Sequence, residues 1–83
     1  MAGGHNFYLA IQKDIKNIEL WSTEEVIVWL RDIGFGDFVK IARAEKLDGK
    51  KLNEANENYL NNALGMTKLN VRQKFMLCIQ EMQ

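Results

Sequence analysis

One run of the chain, Trp21 to Phe35, holds a helix start, a core-facing stripe and a helix stop, and it restricts the fold more than any other stretch. Ser22 followed three residues later by Glu25 is a capping box, in which the hydroxyl accepts from an early helical N–H and the carboxylate accepts from the backbone N–H of the cap. The pattern predicts a helix from Thr23. Val26, Trp29, Leu30 and Ile33 recur at i, i+3, i+4 and i+7, one face of a 3.6-residue helix, and Gly34 supplies a left-handed stop.

The same periodicity continues on both sides. Phe38, Ile41, Ala42 and Ala44 predict a second helix ending before Leu47-Asp48-Gly49, and Leu52 anchors a short third helix over 50–55. The Asn-rich stretch 53–58 reads as a turn, because Asn side chains compete for local backbone hydrogen bonds. Tyr59, Leu60, Ala63 and Leu64 form a fourth helix closed by Gly65. Thr67 opens the last and longest, with Val71, Phe75, Cys78, Ile79 and Met82 on one stripe. Upstream, Phe7, Ile11, Ile15 and Ile18 predict an amphipathic helix over 6–17 with Asn6 as its cap. There is no proline and no alternating run of useful length, so the chain reads as all-α. Its 83 residues allow one domain. The expected division is a leader over 1–19 and a domain over 20–83, with Val26, Trp29, Leu30, Ile33, Phe38, Leu52, Leu60, Leu64, Phe75 and Ile79 as its core.

Composition narrows the function by exclusion. Eleven acidic residues balance eleven basic ones, so no whole-molecule field draws in nucleic acid or an anionic membrane. A single cysteine, Cys78, suits a reducing compartment, and the expected location is cytoplasmic or nuclear. No 18 apolar residues run together, and the start lacks the pattern of a signal peptide. The inventory for catalysis is thin: His5 sits in the leader, Ser22 caps a helix, and Cys78 lies on an apolar stripe where a free thiol behaves as a small hydrophobe. No nucleophile can be matched with a base, and one Cys with one His cannot fill a tetrahedral metal site. The expectation is a non-enzymatic protein without metal or cofactor. Gly34-x-Gly36 lacks the strand and third glycine of a phosphate loop. Met66, Met76 and Met82 read as gap-fillers and Trp21 as a staple at the start of helix one.

Four short helices and a long one resemble the sterile alpha motif (SAM) domain, and the likeness is carried by particular residues. Trp21-Ser22-x-Glu-Glu25-Val26-x-x-Trp29-Leu30-x-x-Ile33-Gly34 is similar to the family's helix-one signature. Leu47-Asp48-Gly49-x-x-Leu52, then Tyr59-Leu60 to Leu64-Gly65-Met66, and Arg72-x-Lys74-Phe75 to Ile79 follow its later segments. The likeness covers Leu20 to Met82. It implies an all-α, five-helix bundle with a long C-terminal helix, here with an extra N-terminal helix, working as a protein-interaction module in a signalling or scaffold protein.

The resemblance also implies a mode of binding, in which the start of helix five on one domain, the end-helix surface, docks on the middle helices of another. Lys68, Arg72 and Lys74 then form the end-helix surface, and Asp37, Glu45, Asp48, Glu54 and Glu57 the middle surface, with a second SAM domain, homotypic or heterotypic, as partner. Basic residues at a helix start oppose the macrodipole, which favours a partner-facing role over a stabilising one. An alternative is RNA or anionic lipid held by Lys40, Arg43, Lys50 and Lys51, interrupted by Glu45 and Asp48 and with no aromatic beside them for base stacking. Where helix five of the family often opens on Gly-His-Arg or Gly-Ala-Arg, this chain has Asn70-Val71-Arg72, which weakens a carry-over of the RNA-hairpin binding that some members perform. Ile27 and Val28, adjacent and apolar at the edge of the helix-one stripe, predict either a contact with the 6–17 helix, Ile27 being the preferred site, or an intermolecular one.

Overall fold

The computed structural model describes residues 17–83. A single 3-10 turn, Ile18–Leu20, leads into α1 (Thr23–Asp32); a second, Gly36–Phe38, leads into α2 (Val39–Ala44), followed by α3 (Gly49–Glu54), α4 (Glu57–Asn62) and α5 (Leu69–Met82). No strand occurs among the described residues. The helix expected over 6–17 lies outside them except for Asn17, which is extended and caps the first turn by accepting from the Glu19 N–H at 3.1 Å.

Three of the helices, α1, α3 and α4, begin on a side chain suited to the task, whereas α2 follows directly from a 3-10 turn without a side-chain cap. The capping box forms as expected: the Ser22 N–H donates to Glu25 Oε1 at 2.8 Å and the Glu25 N–H to Ser22 Oγ at 3.2 Å. Asp48 caps α3 by accepting from the Lys51 N–H, and Asn56 caps α4 by accepting from the Tyr59 N–H. Satisfying these first N–H groups matters most in helices of six residues, where few internal bonds exist to hold the ends.

The ends of α1 and α2 share one motif. After α1, Phe35 N–H reaches the Leu30 carbonyl and Gly34 N–H the Arg31 carbonyl, with Gly34 at φ 86°. After α2, Leu47 N–H reaches Ala42 and Lys46 N–H reaches Arg43, with Lys46 at φ 53°. Both are Schellman stops, and the second puts a lysine where glycine is the unstrained choice.

The core centres on Phe75. Its ring lies 5.0 Å from Phe35 and 5.6 Å from Trp29, and Trp29 meets Trp21 edge to face at 6.1 Å. Around these pack Val26, Ile27, Leu30, Leu47, Leu52, Leu60, Leu64, Met66 and Ile79, all buried. Ile33 and Phe38, expected in the core, are half-buried at its margin because the helix ends at Asp32 and a separate 3-10 turn carries Phe38. Cys78 is half-buried as well, and burial pushes its thiol pKa up. Ile27 belongs to the core, so it offers no surface for a docking helix; of the adjacent pair only Val28 is exposed.

Ile18 also belongs to the core, so the packed region reaches past Leu20. Its turn lies on α3 at their closest approach, where the Gly49 N–H donates to the Trp21 carbonyl at 2.9 Å. A methyl group on Gly49 would collide with the Ile18 carbonyl and crowd Trp21 Cβ. The Asp-Gly pair after Leu47 therefore does two jobs: the aspartate caps α3, and the glycine lets two backbones touch.

Candidate protein-interaction surface

The N-terminal ends of α5 and α2 both lack the side-chain cap that opens α1, α3 and α4. In α5, Lys68 occupies the cap position in extended backbone and supplies no side-chain cap, and the first turn has no acidic residue. Its expected start at Thr67 moves to Leu69, and the Met66 and Thr67 carbonyls accept from a side chain instead. That side chain is Arg72. Its Nη1 donates to both carbonyls, Met66 and Thr67, at 3.0 Å, and its Nε donates to Glu57 Oε1 at 3.2 Å. The Arg72 side chain is only 17% exposed, against 61% for Glu57. Arg72 is thus a clamp that ties the loop before α5 to the start of α4, and its charge is compensated inside the chain.

The Lys68 and Lys74 side chains remain exposed, and neither ammonium makes a hydrogen bond or ion pair among the described residues. Beside them Leu69 is 55% exposed. Two free cations and an apolar side chain therefore share the first two turns of a helix whose N-terminal end is positive by its own dipole.

The acidic set separates in the same way. Asp48 is half-buried and committed to capping α3, and Glu57 faces Arg72, on the basic side of the molecule. Asp37 and Glu54 are exposed and Glu45 half-buried. The Tyr59 hydroxyl is buried without a hydrogen-bond partner among the described residues; desolvation first, then the charges of Glu45 and Asp48, raises its pKa.

Of the four residues expected to hold phosphate, two are engaged. Arg43 on α2 reaches Glu24 on α1 through two bonds, Nε to Oε2 at 3.2 Å and Nη2 to Oε1 at 3.0 Å. Hydrogen bonding in this pair holds the Glu24 carboxyl below its ordinary value and raises Arg43. Lys51 Nζ donates to the Glu45 carbonyl at 2.9 Å, closing the end of α2. Lys40 and Lys50 are exposed. Among the described residues no group of three or more His, Cys, Asp and Glu is placed to hold a metal ion, and no helix is long and apolar enough to cross a membrane.

Sequence spacing had no means of finding the Arg72 clamp or the Glu24–Arg43 pair, since their partners lie 15 and 19 residues away. The only signal for Arg72 was its place at a helix start, where a cation needs some other reason to be.

The family model of the SAM domain (sterile alpha motif) matches residues 18–83. The chain belongs to the sterile alpha motif family. The match begins at Ile18, where packing of the described core begins. A curated relative, WD repeat, SAM and U-box domain-containing protein 1 of Danio rerio, is 32% identical over 63 residues, which is 76% of this chain and 13% of the relative. The chain thus corresponds to a small part of that protein. SAM domains are in general non-catalytic protein-interaction modules, and this chain is an all-α member with the five helices of the fold.

Proposed function

We propose that this SAM domain docks onto an acidic surface of another SAM domain, its own copy or a partner's, through the N-terminal end of α5, within a larger signalling or scaffold protein inside the cell. The supporting observation is the trio Lys68, Leu69 and Lys74: two unpaired cations and an exposed leucine at a helix end that already carries partial positive charge. Such a site favours carboxylates for encounter and an apolar contact for residence. Arg72 supports the site from behind by fixing the loop that carries Lys68. On the other side of the contact, Asp37, Glu45 and Glu54 are the acids free of a capping or clamping duty, and they are the residues proposed to receive the basic end. A contact between two different faces extends into a chain of molecules unless its rotation closes.

The alternative, an anionic ligand such as RNA or lipid at Lys40, Arg43, Lys50 and Lys51, has weaker support because Arg43 and Lys51 are already bonded within the chain. The test is sedimentation equilibrium of the chain at low and high salt, alone and with an acidic SAM domain. Association weakened by salt and by Lys68→Glu with Lys74→Glu is expected. Association indifferent to the double reversal, or tight RNA binding with no SAM partner at all, rules the reading out.

A further inference from the structure

We infer that the groove along the outer face of α5 is the docking site for residues 6–16 of the same chain. The groove has a volume of about 440 Å³ and is lined by Glu57 of α4 and Gln73, Met76, Leu77 and Gln80 of α5. Leu77 is 60% exposed at its rim. Gln73, Met76, Gln80 and Gln83 follow one another at i, i+3, i+7 and i+10, so they share a single helix face that runs to the end of the chain.

The position of the chain at Asn17 selects the occupant. Gln83 Nε2 donates to Asn53 Oδ1 at 2.9 Å, and Asn53 Nδ2 donates to Glu19 Oε2 at 3.1 Å. This relay ties the chain at 17–19, through three side chains, to Gln83, which lies one helical turn beyond Gln80 of the groove lining. Residues preceding Asn17 can therefore enter the groove from the C-terminal end of α5, running parallel to that helix. Length agrees: eleven residues read as a helix span about 16 Å, and the rise from Gln73 to Gln83 is about 15 Å. Apolar pattern agrees too, since the sequence spacing predicts Phe7, Ile11 and Ile15 on one helix face and the groove offers Met76 and Leu77. Charge completes the match. The last turn of α5 carries Glu81 and no basic residue, leaving the negative end of its dipole uncompensated, while the segment brings Lys13 and Lys16 to that end. The contact is independent of the partner proposed for the start of α5.

Amide hydrogen exchange of the full chain tests it. Protection at residues 7–15 is expected in the parent protein, unchanged over about a tenfold range of protein concentration. Leu77→Asp, at an exposed position where folding is not at stake, should speed that exchange by about tenfold. Ile11→Asp should do the same and shift amide resonances of Gln73 to Gln83. Val28→Asp, at the exposed apolar residue of α1, should change neither. Absence of protection, protection indifferent to Leu77→Asp, or protection lost with Val28→Asp would overturn the inference. Concentration-dependent protection would overturn it as well, because the occupant would then be a second copy.

Discussion

The first turn where it meets α3 and the start of α5 where it meets α4 are held in opposite ways. At the first, two backbones touch at Gly49 and no side chain intervenes. At the second, a single guanidinium spans the gap, bonding two carbonyls and a carboxylate. The first arrangement is closed and has no tolerance for added volume. The second leaves its neighbours Lys68, Leu69 and Lys74 in solvent, so the same device that completes the fold also presents the proposed binding end. Stability rests on backbone contact at the first and on Arg72 at the second, recognition on exposed side chains near Arg72, and substitutions should separate them.

The largest effect should come from Gly49→Ala, whose methyl must displace backbone rather than a flexible side chain. A loss of about 3 kcal/mol is expected in chemical denaturation, at the upper part of the usual range for overpacking. Arg72→Leu should follow, with about 1–3 kcal/mol lost, since two carbonyls and Glu57 lose their donor together. Arg43→Gln isolates the effect of exposure: it breaks a better-aligned ion pair, yet both side chains are more than half exposed, and a loss well below that of Arg72→Leu is expected in the same denaturation experiment. If Arg43→Gln cost as much as Arg72→Leu, pairing rather than backbone bonding would explain the clamp.

Acid should distinguish the two arginines further. The Glu24 carboxyl is held below its ordinary value, so its contribution is present above the normal carboxylate range and is lost as pH falls through the depressed value. The carbonyl acceptors of Arg72 do not titrate, and the destabilisation caused by Arg72→Leu should persist into acid while that of Arg43→Gln fades. Smallest of all should be the effect of Lys68→Glu with Lys74→Glu on the melting curve, since both side chains are exposed and unpaired; partner binding is where that double variant should act.

What could be read in the sequence follows the range of the interaction. Trp29, Leu60, Phe75 and Ile79 declared themselves by helical spacing, and Ser22, Gly34 and Gly65 by local chemistry that acts over three or four residues. Ile33 and Phe38 fitted the same spacing but fell at its ends, where a helix stop and a 3-10 turn rotate them outward. Lys46 gave no sign of its left-handed backbone because lysine has no preference for it. At the binding end, charge and helix position pointed to Lys68 and Lys74. The private role of Arg72 stayed hidden, as did that of Glu57, because both depend on how α4 meets α5 rather than on any spacing along the chain.

Ile18 finally bears on portability. Its side chain is core and its carbonyl forms the floor against Gly49, so a fusion that excises the domain from Leu20 onward would carry an unroofed α3 with Trp21 uncovered beside it. Such a graft would inherit a self-adhesive edge and mimic association through the start of α5. A graft that begins at Asn17 brings its own roof, and whatever stickiness it then shows belongs to the surface itself.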